Sequence, residues 1–388
     1  MATTTTTPPT NPFTASVVEE FMNRTREAID KSNPSAAAAS TKKKSEKKDP
    51  PKLFNDEPDA TAPLESAHDK WYSKVVPGGL DYLNETGLPD IDMSSIMFER
   101  SDWSEDDQEF IPSLDENYVI QHGTVYPAIN ALKNNLKVLV TGPTGSGKTA
   151  MYQWIAALCN QPYLRIGGRG DMESDTIFGK MVIKPDGSMQ FEMADFPRAF
   201  RDGWLIALDE PWKLPSNITM AWQRVFERGG VLQLDDMPGN LKDKQIHADK
   251  RTRMVLCDNV VGTGDNADRF AATMIQDSST LNRIDMVLEM PYLKPKKEEE
   301  MLCHRYAFLP EDKAHKAVQV ANLIRDAYEK YQVGVTMSPR NLMSWIEMAY
   351  TVRSYEVGFK WVMLERYAEP AEREAVKGFY RTVFGTSL

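Results

Sequence analysis

The sequence predicts an α/β fold in which a parallel sheet is flanked by helices, with a helical subdomain behind it and a disordered tail ahead of it. Three observations predict this. Short apolar runs alternate with helical stretches between residues 122 and 290, a glycine-rich segment follows the first of those runs directly, and only helical periodicity continues after Pro295.

Composition narrows the function classes. Hydrophobic residues make up 41% of the 388, enough apolar material for one large core or two modest ones. A net charge of -10 argues against whole-surface attraction to nucleic acid or anionic lipid, although local basic patches remain open. Cys159, Cys257 and Cys303 lie far apart and make no even disulfide framework, which fits a reducing compartment, so the chain is expected in the cytoplasm. No apolar run approaches the roughly 18 residues of a membrane span, and the Thr- and Pro-rich N-terminus lacks a signal-peptide layout. No membrane association is therefore expected. His68, His122, His247, His304 and His315 show no metal-ligand spacing.

Residues 1–62 read as a disordered low-complexity tail, with a threonine run, an alanine stretch and a basic block from Lys42 to Lys48. Within it, Ser16 and Glu19 fit a capping box, and Val17, Val18, Phe21 and Met22 share one helical face. That short helix is either transient or a partner-docking peptide. Residues 63–118 mix aromatics, turn residues and acids, as in a small pre-domain or a wrapping arm. The regular part, 119–293, opens with a helix over 122–134 and holds strand candidates at 138–140, 163–166, 205–208, 253–257 and 286–290. Residues 294–388 form the helical subdomain, where Leu342, Trp345, Ile346 and Ala349 keep i, i+3, i+4, i+7 spacing.

The chemistry concentrates at Gly142-Pro143-Thr144-Gly145-Ser146-Gly147-Lys148-Thr149, a complete G-x-x-x-x-G-K-S/T pattern between a strand and a helix. Its glycines let backbone N–H groups converge on phosphate oxygens, and the helix from Lys148, continuing through Ala150, points its positive end at the same anion. Lys148 is expected to reach the terminal phosphates of ATP and Thr149 to coordinate magnesium. The strand 205–208 ends in Asp209-Glu210, which is expected to lie next to the strand before the loop. There Asp209 would hold the magnesium shell and Glu210 polarise the attacking water.

Hydrolysis spreads negative charge in its transition state, and three later positions answer that need. Asn259 follows the strand 253–257 and is placed to orient the water with Glu210. Arg283 precedes the last strand and is placed to supply a cation in trans. Arg340 follows Ser338 and Pro339, which read as N-cap and first helical position.

These residues carry a resemblance. Asn259-Val260-Val261-Gly262-Thr263-Gly264-Asp265, with Leu281-Asn282-Arg283, resembles segments of the MoxR-like AAA+ ATPases, and within them of the CobS-type ATPase subunits of aerobic cobaltochelatases. Pro89-Asp90-Ile91, residues 111–118 and Trp222-Gln223-Arg224-Val225-Phe226-Glu227 look similar as well. Asp258 stands where that family has a small residue, and Asn282 where it has aspartate. The resemblance implies a AAA+ core with a helical lid, Lys148 and Thr149 as Walker A, and Asp209 and Glu210 as Walker B. It further implies Asn259 as sensor 1, Arg283 as arginine finger and Arg340 as sensor 2. A hairpin inserted in the second core helix is implied at 180–196, where Pro185-Asp186-Gly187-Ser188 supplies turn chemistry.

The leading expectation is thus a Mg2+- and ATP-dependent homo-oligomeric ring, taken as a hexamer, that remodels a partner protein; the family implies a von Willebrand factor A-type partner. The alternative is a nucleic-acid-directed motor or loader, which the acidic balance and the lack of a basic, aromatic stripe disfavour.

Overall fold

The computed structural model describes residues 71–227, 229–261 and 278–386. The tail, with the short helix expected around Ser16 to Met22, the first residues of the arm, and residues 262–265 of the Asn259 segment lie outside the described residues.

Nine strands are described: β1 (Val138–Thr141), β2 (Tyr163–Gly167), β3 (Gly179–Ile183), β4 (Met189–Met193), β5 (Leu205–Asp209), β6 (Val231–Gln233), β7 (Gln245–His247), β8 (Arg253–Asp258) and β9 (Met286–Glu289). Five of them form one parallel sheet in the order β2-β5-β8-β1-β9. Of the three strands flanked on both sides by others, β1 and β8 are buried along their whole length and β5 as far as Leu208, whereas the edge strand β9 alternates between half-buried and exposed residues.

This order corrects one expectation. The strand ending in Asp209 does not adjoin β1, because β8 lies between them, with Ala207 paired to Val255 and Val255 to Val138. Chain order alone leaves the lateral order of parallel strands open, since each crossover may skip a place.

Two-residue alternation along the strands sends side chains to opposite faces. On one face Val138, Val140, Leu205, Ala207, Val255 and Cys257 pack with α1 (His122–Lys133) and α2 (Lys148–Leu158). Tyr72, Met93 and Ile96 sit in that same cluster, so residues 71–118 wrap onto this face of the sheet. Trp103 fixes the wrap by donating its indole N–H to Asn160 O at 2.7 Å. On the other face Leu139, Ile206, Leu208, Met254 and Leu256 meet Phe196, Trp204, Trp212 and Trp222. Phe196 comes from α4 (Asp195–Asp202) and Trp222 from α5 (Ser216–Phe226), helices that follow α3 (Ser174–Phe178) in the chain.

Strands β3 and β4 pair antiparallel between α3 and α4. Their turn is closed by Lys184 N donating to Ser188 O at 2.8 Å and by Asp186 Oδ1 accepting from Ser188 N at 2.9 Å. At the tip Ile183 and Met189 face each other and are 75% and 63% exposed, an apolar pair left in water. Phe196, assigned by sequence to the hairpin, belongs to α4 and is buried.

The C-terminal region consists of α6 (Pro295–Arg305), α7 (Glu311–Glu329), α8 (Pro339–Val352), α9 (Tyr355–Val362) and α10 (Pro370–Phe384). It has its own core, centred on Ile324, Leu342, Trp345 and Phe359. Helix α8 begins with a reciprocal cap: Ser338 Oγ accepts from Asn341 N, and Asn341 Oδ1 accepts from Ser338 N. A buried ion pair ties α6 to α7, since the Arg325 guanidinium donates to both Glu298 carboxylate oxygens at 2.7 Å. The same guanidinium donates through Nε to Met337 O at 2.8 Å and stacks 4.3 Å from the ring of Tyr292.

Among the described residues, no helix is long and apolar enough to cross a membrane.

Replacing Glu298 with alanine would strand a buried guanidinium, so Glu298→Ala is expected to cost about 3–5 kcal/mol of stability, whereas joint replacement of both partners by methionine costs far less. Denaturant titration of the single and double variants reads the difference.

Candidate functional site

The loop from Gly142 to Gly147 joins β1 to α2 at the C-terminal edge of the sheet. Two of its glycines are there for want of space. Gly142 adopts φ 149, and a Cβ on it would come 2.2 Å from Met290 O; Gly145 adopts φ 76, and a Cβ would come 2.7 Å from Ser338 Cβ. The loop is thus held between the end of β9 and the first turn of α8. Tyr292 fastens it by donating its hydroxyl to Thr144 O at 3.0 Å. No side chain caps α2, so its first amide groups stay open toward the loop, an arrangement suited to an anion.

Lys148 is largely buried, and its ammonium donates to Gly142 O at 2.8 Å, Pro143 O at 3.1 Å and Asn259 Oδ1 at 2.9 Å. Burial pulls it below the usual lysine range, while Cys257, Asp209, Asp258 and Glu210 act the other way. The contact with Asn259 follows from the sheet order, because β8 is the immediate neighbour of β1.

Asp209 ends β5, and Glu210 follows in a left-handed conformation, φ 52 and ψ 47. Such a backbone costs on the order of 1–3 kcal/mol for a non-glycine residue and persists only where the surroundings impose it. Here Glu210 N donates to Cys257 O at 2.7 Å, Pro211 opens a tight helical turn, and Trp212 is buried beneath it. The Glu210 carboxylate accepts from Lys213 Nζ at 2.9 Å. Asp209 is held by Arg165 of β2, whose Nε donates to Asp209 Oδ2 at 3.0 Å.

A cavity of about 420 Å3 brings these groups together. Thr144, Gly145, Gly147, Lys148, Thr149 and Ala150 line it from the loop and α2, Asp209, Glu210 and Asn259 from the strand ends, and Arg340 from α8. Gly142, Pro143 and Ser146 shape the loop without lining it. Arg283 is elsewhere. It lines a separate cavity of about 860 Å3 and pairs with Glu227 at 3.2 Å, just past the end of α5. That pair joins two segments singled out in the sequence, and Gln223 of α5 adds a contact to Thr280 at 2.9 Å, just ahead of the second.

Three lining residues, Arg165, Asp258 and Met343 of α8, escaped the sequence reading as site components. Arg165 stood inside a strand candidate, and only its spacing within that run gave a signal. Asp258 had been noted only as a departure from the resemblance. It is buried, its Oδ1 accepts from Asn259 N at 2.7 Å and Val260 N at 3.3 Å, and its Oδ2 has no hydrogen-bond partner. Burial pushes the Asp258 carboxyl up to about 6, against the pull of the Asn259, Val260 and Trp212 amides.

A raised carboxyl favours the fold most at low pH, and that contribution is lost as pH climbs through about 6. Asp258→Asn removes the titration, so its stability relative to the parent chain should improve between about pH 4 and 7. Thermal melts across that range check the sign.

Residues 137–283 match the AAA domain of the dynein-related subfamily. The chain is 26% identical over 286 residues to the aerobic cobaltochelatase subunit CobS of Sinorhizobium sp, covering 72% of this chain and 84% of that protein. It is 28% identical over 105 residues to NorQ of Paracoccus denitrificans, covering 27% of this chain and 38% of that protein. A solved structure, the RuvB Holliday junction branch migration motor of Thermotoga maritima, aligns with a TM-score of 0.39 at 13% identity over 65% of this chain and 72% of that one. With its strand–loop–helix at Lys148 and its helical C-terminal region, the chain carries an AAA domain at residues 137–283 and is similar to the MoxR-like AAA+ proteins.

Proposed function

We propose that the chain hydrolyses ATP with magnesium at sites shared between the subunits of a homo-oligomeric ring, taken as a hexamer, and that turnover remodels or activates a partner protein. The observation that carries this reading is the convergence of Lys148, Thr149, Asp209, Glu210, Asn259 and Arg340 on one cavity under an open helix N-terminus.

The donor set fits a magnesium nucleotide. The Thr149 hydroxyl and Asp209 carboxylate are hard oxygen ligands fronting the same space as the Lys148 ammonium. Among the described residues no group of His, Cys, Asp and Glu is arranged to hold a metal by itself, which suits an ion that shares its shell with phosphate and water. When bound, that ion would neutralise charge developing on the phosphates.

The chain's own groups would then divide the work. Lys148 would exchange its carbonyl partners for phosphate oxygens, and Glu210, fixed by its strained backbone, would take up the proton of the attacking water. Asn259, already beside Lys148, would orient that water. Arg340 would place a guanidinium from the lid on the nucleotide, so that the lid angle reports what is bound. Arg283, remote from this cavity, would serve the nucleotide of a neighbouring subunit. The β3–β4 hairpin and the lid would carry the change outward. The likeness to a cobaltochelatase subunit makes a chelatase-type complex, with a von Willebrand factor A-type partner, the first class to test.

Glu210→Gln is expected to lower kcat at least about 100-fold while nucleotide affinity stays within about threefold. Undiminished turnover in that variant would sink the hydrolysis reading. Arg283→Ala should be comparably inactive, and an equimolar mixture of Arg283→Ala and Glu210→Gln subunits should regain activity, because about a quarter of the interfaces then join two intact halves. A mixture as dead as its components would remove the shared site.

A further inference from the structure

Arg165 has no role in the division of labour above, yet it lines the cavity. It projects from β2, the strand beside β5, and its guanidinium grips the Asp209 carboxylate through both Nε and a terminal nitrogen. Asp209 is the group proposed to serve magnesium. Both nitrogens donate to one oxygen, Asp209 Oδ2, so a metal shell that draws on that oxygen competes with the guanidinium fork for its lone pairs. The partners are unequally fixed: the Asp209 side chain is 15% exposed, that of Arg165 54%. When the pair opens, the arginine is the member with room to move. The space open to it is the same cavity, which it lines with Lys148, Thr149 and Arg340.

We infer that Arg165 distinguishes a nucleoside triphosphate from a diphosphate. With the site empty it neutralises Asp209. When a magnesium nucleotide claims that carboxylate, the released guanidinium turns to the terminal phosphate, adding a cation from the same subunit. A diphosphate gives it nothing to reach, so exchanging the ion pair yields no compensating contact. A guanidinium suits this because its planar fork matches a carboxylate and a phosphate equally well. The inference rests on the ATP reading of the site, and its test separates the two.

The experiment is equilibrium binding of Mg-ADP and of Mg-AMP-PNP, a triphosphate that is not turned over, to the full chain and to Arg165→Ala. The variant is expected to bind Mg-AMP-PNP about tenfold or more weakly and Mg-ADP at least as tightly as the parent. Retained ADP binding reports an intact fold. With EDTA replacing magnesium, parent and variant should bind AMP-PNP alike, because nothing then draws Asp209 away from Arg165. Equal weakening of both magnesium nucleotides would make Arg165 a structural residue, and no change in either would leave it a surface ion pair. Either result overturns the inference, as would a persistent difference in EDTA. A parent chain that binds neither nucleotide would instead remove the ATP reading itself.

Discussion

The site depends on a steric constraint in the loop 142–147. Gly142 has the carbonyl of Met290 where a side chain would stand, and Gly145 has Ser338. The loop is consequently shaped as much by the last strand and the lid as by its own sequence. Ser338 is also the cap of α8, the helix that brings Arg340 to the cavity, so the lid meets the loop directly, through the Ser338 side chain against Gly145. Behind that surface, Tyr292 holds the Thr144 carbonyl with its hydroxyl and stacks its ring on Arg325, and Arg325 is locked to Glu298 and Met337. A displacement of the loop thus meets the lid through a short path of rigid, hydrogen-bonded contacts rather than through a flexible linker.

The charges at the cavity are matched from within the chain. Lys148 is held by two loop carbonyls and Asn259, Asp209 by Arg165, and Glu210 by Lys213. Such pairing keeps partly buried charges from the full cost of desolvation. It also means that a polyanion entering with a metal must rearrange existing pairs rather than fill a vacant electrostatic well. Asp258 is an exception, a buried carboxylate whose contacts are backbone amides and which burial raises against their pull.

What the sequence made legible was local. The pattern from Gly142 to Thr149 encodes strand, loop and helix within a dozen positions, and the cap at Ser338-Pro339 announced the start of α8 for the same reason. The pair Asp209-Glu210 was legible as chemistry but not as position, because parallel strands are ordered by crossovers that no local spacing records. Arg165 was invisible because its meaning comes from a neighbour on another strand. The arm before residue 118 stayed indistinct for a related reason. Tyr72 and Met93 gain their burial against β1 and α1, far along the chain, and nothing in the arm's own periodicity announces that partner.

The interposed strand β8 acts as a ruler. Neighbouring strands in a sheet lie about 4.8 Å apart, so two spacings put roughly 10 Å between the axes of β1 and β5. A glycine loop leaving one and a carboxylate ending the other therefore face across a gap too wide for direct contact and wide enough for a phosphate chain with a hydrated ion. Asn259, at the end of the strand between, stands over the middle of that span. The lateral order of three strands sets the size of the chamber before any side chain is chosen.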